Sequence, residues 1–131
     1  MSFHVDPMIP GLQAVLDLRL QQHALTASNL ANANTPGYKA REIDFDRVLE
    51  RAMRTPDALT RMEPKHVGGS GAVAATVTEI EAPPWAIDGN SVVPERENAR
   101  LQSNALLYQA VTEGLDHKLT LLRFAASNGR A

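Results

Sequence analysis

Two stretches of the chain, one near each end, place apolar residues at helical spacing. In the first, leucine and alanine recur every three or four residues, the pattern of a helix with one contact face. This seam consists of Leu12, Leu16, Leu20, Ala24, Ala27, Leu30 and Ala31. A second seam of Val15, Leu18 and Leu25 runs beside it. The pattern predicts an N-terminal helix over residues 10–34 with a wide contact face.

The second stretch is more regular. Leu101, Tyr108, Leu115 and Leu122 fall seven residues apart, and a seven-residue repeat held over about three heptads makes a helix pack lengthwise against another helix. Pro94 suits a first helical turn, where it loses no hydrogen bond. The repeat therefore predicts a C-terminal helix over residues 94–127, packed with the N-terminal helix as a coiled-coil pair.

The middle of the chain differs in kind from both ends. Residues 64–94 hold four of the eight prolines and four of the eight glycines, which excludes a long helix there. Phe45–Arg54 has the pattern of a short amphipathic helix capped by Asp44, and Ala72–Ile80 has weak strand character. We therefore predict a mainly α fold and a single domain over residues 1–131, in which residues 35–93 form a turn, a short helix and a flexible, largely irregular middle.

The sequence Thr35-Pro36-Gly37-Tyr38 predicts where the first helix stops. A proline disfavours the helical conformation of the residue before it; Pro36 then suits the first corner of a type II turn, and Gly37 supplies the positive φ of the second. Three asparagines precede this turn, namely Asn29, Asn32 and Asn34. Their amides can hydrogen-bond along or between helices and fix a register. A solvated helix end is the alternative interpretation on spacing alone.

Composition removes several classes of protein from consideration. Thirteen basic and fifteen acidic residues give a net charge of −2 with no run of like charge, which argues against nucleic acid and anionic membrane as partners. The absence of cysteine excludes disulfides and thiolate sites, and an aromatic content of 5% predicts a thin core. Residues 1–7 lack the basic and apolar regions of a cleavable signal. We expect a chain made in soluble form that leaves the cytoplasm, if at all, by another route.

No set of residues has the arrangement of a catalytic or ligand site. The four histidines are scattered, and His117 lies four residues after Glu113, the spacing of a surface pair on a helix. Glu42, Asp44 and Asp46 suit a helix start better than a cation site or acid–base pair, because no glycine-containing calcium loop or histidine accompanies them. We expect no enzyme activity, cofactor, metal or small-molecule substrate.

Trp85 follows two prolines and has two interpretations of equal weight. It can serve as an aromatic anchor for a partner, since buried aromatics dominate interface energetics. It can equally fold back and cover the ends of the two long helices.

Ser28–Ala40, which reads SNLANANTPGYKA, resembles the N-terminal signature of bacterial flagellar rod and hook proteins, a helix ending in Ala-Asn-x-x-Thr-Pro-Gly-Tyr. Arg41–Phe45, Leu59–Val67 and Asp88–Ala110 resemble the short proximal-rod members of this family. The resemblance implies a structural subunit of the periplasmic rod in the flagellar basal body. It also implies export by the flagellar type III apparatus without signal cleavage, and helical assembly with other rod subunits, the rod-to-membrane-ring junction protein and the membrane ring.

The seams and the resemblance together predict which residues serve assembly. The predicted interface and packing residues are Leu16, Leu20, Asn29, Leu30, Asn32, Asn34, Leu101, Tyr108, Leu115 and Leu122, and the turn residues are Thr35, Pro36, Gly37 and Tyr38. Seams wider than one partner needs predict a subunit that completes its core by stacking with neighbours, including copies of itself. The alternative is a soluble helical adaptor or export chaperone that binds a partner helix between its own two helices. A hydrolase that uses Glu42, Asp44 and Asp46 is a third and less favoured alternative.

Overall fold

The computed structural model describes residues 8–54 and 76–127, with the side chains of residue 49 and residues 51–54 left aside. Its elements in chain order are helix α1 (Met8–Ala31), strand β1 (Arg41–Ile43), helix α2 (Phe45–Arg54), strand β2 (Val77–Glu79) and helix α3 (Pro94–Ala126). The two long helices pack against each other. The predicted mainly α fold class is therefore confirmed, while the glycine cluster at residues 68–71 lies outside the described residues.

Helix α1 differs slightly from its predicted bounds of residues 10–34. It begins two residues earlier, and Pro10 is tolerated because the N–H groups of a first turn have no intrahelical partner. It ends at Ala31 because the following backbone tightens into turns with bonds between residues three apart. Ala33 N donates to Leu30 O at 3.2 Å, and Thr35 N donates to Asn32 O at 3.0 Å. The chain is thus already leaving the helix before Pro36.

Helix α3 is the longer of the two, with 33 residues against 24 in α1. At about 1.5 Å per residue their lengths are roughly 50 and 36 Å. Two polar contacts show that the helices run antiparallel: Asn29 of α1 reaches Glu97 near the start of α3, and Asn104 of α3 reaches Arg19. The last turns of α3 therefore extend beyond the described start of α1.

The core is small, as the low aromatic content predicted. Leu18 of α1, Ile43 of β1 and Val48 of α2 form a buried cluster, against which Leu25 and Phe45 pack. Strands β1 and β2 pair antiparallel beside this cluster, with Arg41 opposite Glu79 and Ile43 opposite Val77. The core thus joins α1 to the short middle elements.

Helix α2 has the predicted bounds and the predicted cap. Asp44 Oδ1 accepts a hydrogen bond from the backbone N of Arg47 at 3.1 Å, the usual role of an aspartate just before a helix. Of the stretch predicted to have strand character, only Val77–Glu79 forms a described strand, and residues 72–75 lie outside the described part of the chain.

Candidate assembly interface

The turn that ends α1 has the geometry that its sequence predicts. Gly37 adopts a φ of 73°, and Tyr38 N donates to Thr35 O at 3.2 Å, closing the turn. The segment just before α3 lies directly against it, because Gly37 N donates to Asp88 O at 2.7 Å. Gly89 has a φ of 71° and sits so near that an added Cβ would lie 3.7 Å from Gly37 Cα. Thr35, Pro36 and Gly37 are exposed, while Tyr38 is half-buried.

Asn90 satisfies the carbonyl groups at the end of α1. Its Nδ2 lies 3.0 Å from Asn32 O, 3.0 Å from Ala33 O and 2.8 Å from Thr35 O. These carbonyls belong to the turn that follows α1, so Asn90 holds this turn in place. Its Oδ1 accepts a bond from Val92 N at 2.7 Å. Sequence reasoning gave Asn90 no role, because nothing local indicates that a residue 55 positions away will lie against the helix end.

Asn29 is fully buried and joins three parts of the chain. Its Nδ2 donates to Arg41 O at 2.8 Å and to Glu97 Oε2 at 3.0 Å, and its Oδ1 accepts a bond from Arg41 N at 2.9 Å. The amide therefore links α1 to β1 and α3 within one chain. Asn32 is half-buried and donates to Ser28 O at 2.8 Å, whereas Asn34 is exposed. A contact of Asn32 or Asn34 with a neighbouring chain stays a prediction.

Glu97 is the centre of a charge cluster, here named the Glu97 cluster, formed with Asn29, Arg96, Arg100 and Glu42. Glu97 is fully buried, and its Oε1 lies 3.2 Å from Arg100 Nη1 and 3.8 Å from Arg96 Nε. Arg100 also pairs with Glu42. A buried carboxylate is tolerated only when paired and hydrogen-bonded, and this cluster provides both. The local sequence indicates only that an acidic residue suits the first turn of a helix, and not that Glu97 would be buried.

The carboxylates that the sequence offered for cation or acid–base chemistry are used differently. Glu42 belongs to the Glu97 cluster, Asp44 caps α2, and Asp46 is exposed. Among the described residues no group of three or more His, Cys, Asp or Glu side chains could hold a metal ion. The geometry of these three residues is therefore that of structural charges.

The predicted apolar packing residues flank the contact between the long helices. The buried residues of α3 are both polar, namely Glu97 in its first turn and Asn104 further along. The half-buried members of the predicted set are Leu16, Leu30, Leu101, Tyr108 and Leu115. Leu20 is 52% exposed and Leu122 is 38% exposed. The single chain therefore leaves much of this apolar surface uncovered.

Further large apolar side chains are exposed at the C-terminal end of α3, Leu119–Ala126, here named the α3 end. Leu119, Leu121 and Leu122 are all exposed, and Phe124 is 57% exposed. At 100° per residue these positions are distributed around more than half of the helix circumference. The heptad analysis missed Leu121 and Phe124 because they lie off the seam. The high density of apolar residues in LTLLRFAA was the available signal.

Two clefts lie beside Arg19, where α1 meets α3. The larger, about 400 Å³, is also lined by Phe45, Arg96, Arg100 and Ser103. The smaller, about 210 Å³, is lined by Leu20, His23, Ala105 and Tyr108 in addition to Arg19 and Asn104. The Arg19 guanidinium carbon lies 4.4 Å from the centroid of the Phe45 ring. Burial lowers the pKa of the Arg19 guanidinium below its ordinary value. Sequence reasoning did not single out Arg19.

Trp85 lies on the surface, on a turn that Ala86 N closes by donating to Pro83 O at 2.9 Å. Its side chain is 73% exposed. The interpretation that Trp85 folds back to cover the helix ends is therefore wrong. A role as an anchor for a partner stays a prediction.

Over residues 8–54 and 76–127, neither long helix contains an uncharged apolar stretch of the length that a membrane crossing requires.

Comparison with known proteins places the chain in a family. The family described as flagella basal body rod protein matches residues 16–39, which include Arg19, Asn29 and the turn. The flagellar basal body rod protein FlgB of Escherichia coli is 34% identical over 124 residues, covering 88% of this chain and 89% of the relative. The chain belongs to the FlgB family of flagellar basal-body rod proteins. The predicted resemblance is thereby confirmed.

Two further relatives extend this finding. FlgB of Salmonella typhimurium is 36% identical over 113 residues, covering 80% of this chain and 82% of the relative. FlgB of Cereibacter sphaeroides is also 36% identical over 113 residues, with coverage of 84% and 86%. The similarity to the FlgB family therefore extends well beyond the signature at the end of α1.

Proposed function

We propose that this chain is a structural subunit of the proximal rod of the bacterial flagellar basal body. It is made in the cytoplasm, exported by the flagellar type III apparatus without signal cleavage, and built helically into the periplasmic rod. Its partners there are further copies of itself, other rod subunits, the rod-to-membrane-ring junction protein and the membrane ring. Membership of the FlgB family, with similarity over most of the chain, supports this assignment.

The observation that carries the proposal is the exposed α3 end. Leu119, Leu121, Leu122 and Phe124 are exposed on several sides of one helix, and a helix that is apolar on most sides is normally buried. A single partner helix would cover only one of these sides. Head-to-tail contacts that do not close into a ring produce a helical array, in which each subunit has several neighbours. The rod provides such an arrangement.

The opposite end of the helix pair suits the transmission of torque. Asn29 and Asn104 tie α1 to α3 at two levels along their length, and Asn90 holds the turn against the end of α1. These contacts resist sliding and rotation of one helix against the other. Torque transmission requires only that such stiff subunits stay stacked, so no catalytic step or cofactor is part of the proposal.

A soluble helical adaptor or export chaperone is the alternative function. It would place the α3 end against a cargo helix rather than in a filament. Membership of a family of rod proteins supports the rod subunit over the adaptor.

Substitution of Phe124 tests the proposal. Phe124→Asp places a charge on the α3 end and should abolish both incorporation into basal bodies and swimming in a strain that lacks the native gene. Phe124→Leu is the matched control and should swim. Swimming is measured in soft agar, and incorporation is measured by immunoblots of isolated basal bodies. Mass spectrometry of the incorporated native chain shows whether its N-terminus is intact, as export without signal cleavage requires. Normal swimming by Phe124→Asp would refute the role of the α3 end.

A further inference from the structure

Arg19 is a half-buried arginine whose charge has no partner among the residues that the structure describes. Its Nε is buried without a hydrogen bond, and no ion pair with Arg19 is present within residues 8–54 and 76–127. Its guanidinium makes a cation–π contact with the face of the Phe45 ring. A partly desolvated cation is stabilised by an anion at short distance.

The carboxylates nearest to Arg19 are already in use. The larger cleft contains three arginines, Arg19, Arg96 and Arg100, and one carboxylate, Glu42. Glu42 and the buried Glu97 both pair with Arg100. Counted over the described residues, one positive charge therefore remains uncompensated, next to the apolar surfaces of Ile43 and Phe45. Such a cleft suits a carboxylate carried on an apolar helix.

From this charge imbalance we infer that the cleft at Arg19 receives the Asp116 carboxylate of a second copy of this chain. This inference rests on the proposed function, because it assigns one contact of the rod assembly. The occupant is a carboxylate on a helix, and the recognising groups are the Arg19 guanidinium and the wall formed by Phe45 and Ile43.

Asp116 has the properties that the cleft requires. It is exposed on α3, and its carboxylate makes no hydrogen bond or ion pair with the described residues. By contrast, Glu113 one turn earlier accepts a bond from Gln109 Nε2 at 3.0 Å. Leu119 lies three residues after Asp116, at the neighbouring position on the helix surface, and is exposed. Asp116 and Leu119 thus match the charged and apolar parts of the cleft.

The two halves of this contact lie at different levels of the same molecule. Arg100 of the cleft and Asp116 are separated by about 24 Å along α3 at 1.5 Å per residue. A contact between different surfaces of identical subunits is heterologous and continues from copy to copy unless it closes into a ring. Repeated from copy to copy, it produces a staggered array of the kind that a helical rod requires.

Charge reversal tests the pairing in the full chain. Arg19→Glu and Asp116→Arg should each place like charges together and weaken the contact roughly a hundredfold, seen as loss of soft-agar swarming and of incorporation into basal bodies. The double variant restores an opposite-charge pair and should recover both. Arg19→Glu also removes the contact with Phe45, so Asp116→Arg, which alters no described contact within the chain, is the decisive single variant. Normal swarming by Asp116→Arg, or a double variant no better than its worse parent, would overturn the pairing.

Cysteine cross-linking gives an independent readout, because the native chain contains no cysteine. Ser103→Cys on the cleft wall and Thr120→Cys one turn after Asp116 are introduced into separate copies that are produced together. Mild oxidation of isolated basal bodies should yield a cross-linked pair. Ser103→Cys with Thr35→Cys, an exposed position in the turn, is the matched control and should yield none.

Failure of this contact can be distinguished from failure of the proposed function. If both cysteine variants enter basal bodies but give no more cross-link than the control, the Arg19–Asp116 contact is wrong while the rod assignment stands. If the native chain is absent from basal bodies, the proposed function itself fails and the contact fails with it.

Discussion

The two ends of the helix pair differ in the polarity and the burial of their side chains. Where α1 ends and α3 begins, Asn29, Asn90 and Glu97 are buried, and each makes several hydrogen bonds or ion pairs within the chain. At the α3 end the side chains are apolar and exposed, with Phe124 as the largest of them. The first end makes these contacts within a single chain, whereas the second presents apolar surface that the described residues leave uncovered.

This difference implies that contacts near the start of α3 stabilise the fold, whereas the α3 end serves assembly. Substitutions at the Glu97 cluster or the turn should lower the free energy of unfolding of the isolated chain. Substitutions at the α3 end should leave that free energy unchanged and act on incorporation into the rod. Unfolding measured alongside incorporation therefore tests the comparison directly.

The largest expected effect is that of Glu97→Ala. The variant leaves Asn29 Nδ2 without one acceptor and removes the buried partner of Arg100. Breaking a buried ion pair by removing one partner costs about 3–5 kcal/mol. Urea unfolding followed by circular dichroism should show this loss. The control, Asn98→Ala at the exposed next position of α3, should stay within about 0.5 kcal/mol of the native chain. Equal stability of the two variants would show that the Glu97 cluster does not hold the helices together.

A smaller loss is expected for Gly37→Ala. Gly37 has a φ of 73°, and an added Cβ would meet nothing within 4 Å, so only backbone conformation opposes the change. The left-handed region costs an L-residue about 1–2 kcal/mol. Gly114→Ala is a control of opposite sign: this helical glycine also has open space around it, and its replacement should stabilise α3 by about 0.5–1 kcal/mol. A Gly37→Ala variant as stable as the native chain would contradict the turn assignment.

The sequence predicted the parts of the fold that local rules determine. The seams predicted the long helices, Asp44 predicted the cap of α2, and Pro36-Gly37 predicted the turn and its positive φ. Each of these depends on neighbours within about four residues, so the pattern is visible in the letters.

What sequence reasoning missed depends on pairs distant along the chain. Asn90 donates to carbonyls just after α1 that lie 55 to 58 positions earlier in the chain. Asn29 donates to Glu97, which lies 68 positions later. No periodicity encodes such pairs. The heptad repeat likewise did not indicate that the buried residues of α3 would be the polar Glu97 and Asn104, while its leucines stayed partly exposed. The role of the predicted interface residues in contacts between chains stays a prediction, because the contacts within a single chain do not test it.

Phe124→Asp, a substitution at the α3 end, should leave the stability of the chain nearly unchanged but prevent its assembly. Because Phe124 is 57% exposed in the single chain, its replacement should change the free energy of unfolding by less than about 0.5 kcal/mol. The same variant is expected to be absent from basal bodies. Circular dichroism melts of the purified variant and the native chain, run in parallel, check the first part. A loss of stability as large as that of Glu97→Ala would show that the α3 end packs within its own chain.

The smallest effect belongs to the exposed pair of Lys39 and Glu81, beside the turn. Lys39 Nζ lies 2.8 Å from Glu81 Oε1, and this hydrogen bond, with the charge of Glu81, raises the pKa of Lys39. A raised lysine pKa adds stability that is present below the unfolded-state pKa and is lost as the pH rises through the higher folded-state pKa. Since the ammonium group is fully exposed and screened by salt, Lys39→Ala should leave the melting temperature at pH 7 nearly unchanged. Any small deficit should fade as the pH rises above about 10.5, the ordinary lysine pKa, and through the higher folded-state pKa. Glu81→Gln should behave in the same way at neutral pH. A marked drop in melting temperature for either variant would mean that surface charge, and not only the buried contacts of Asn29, Asn90 and Glu97, stabilises this end.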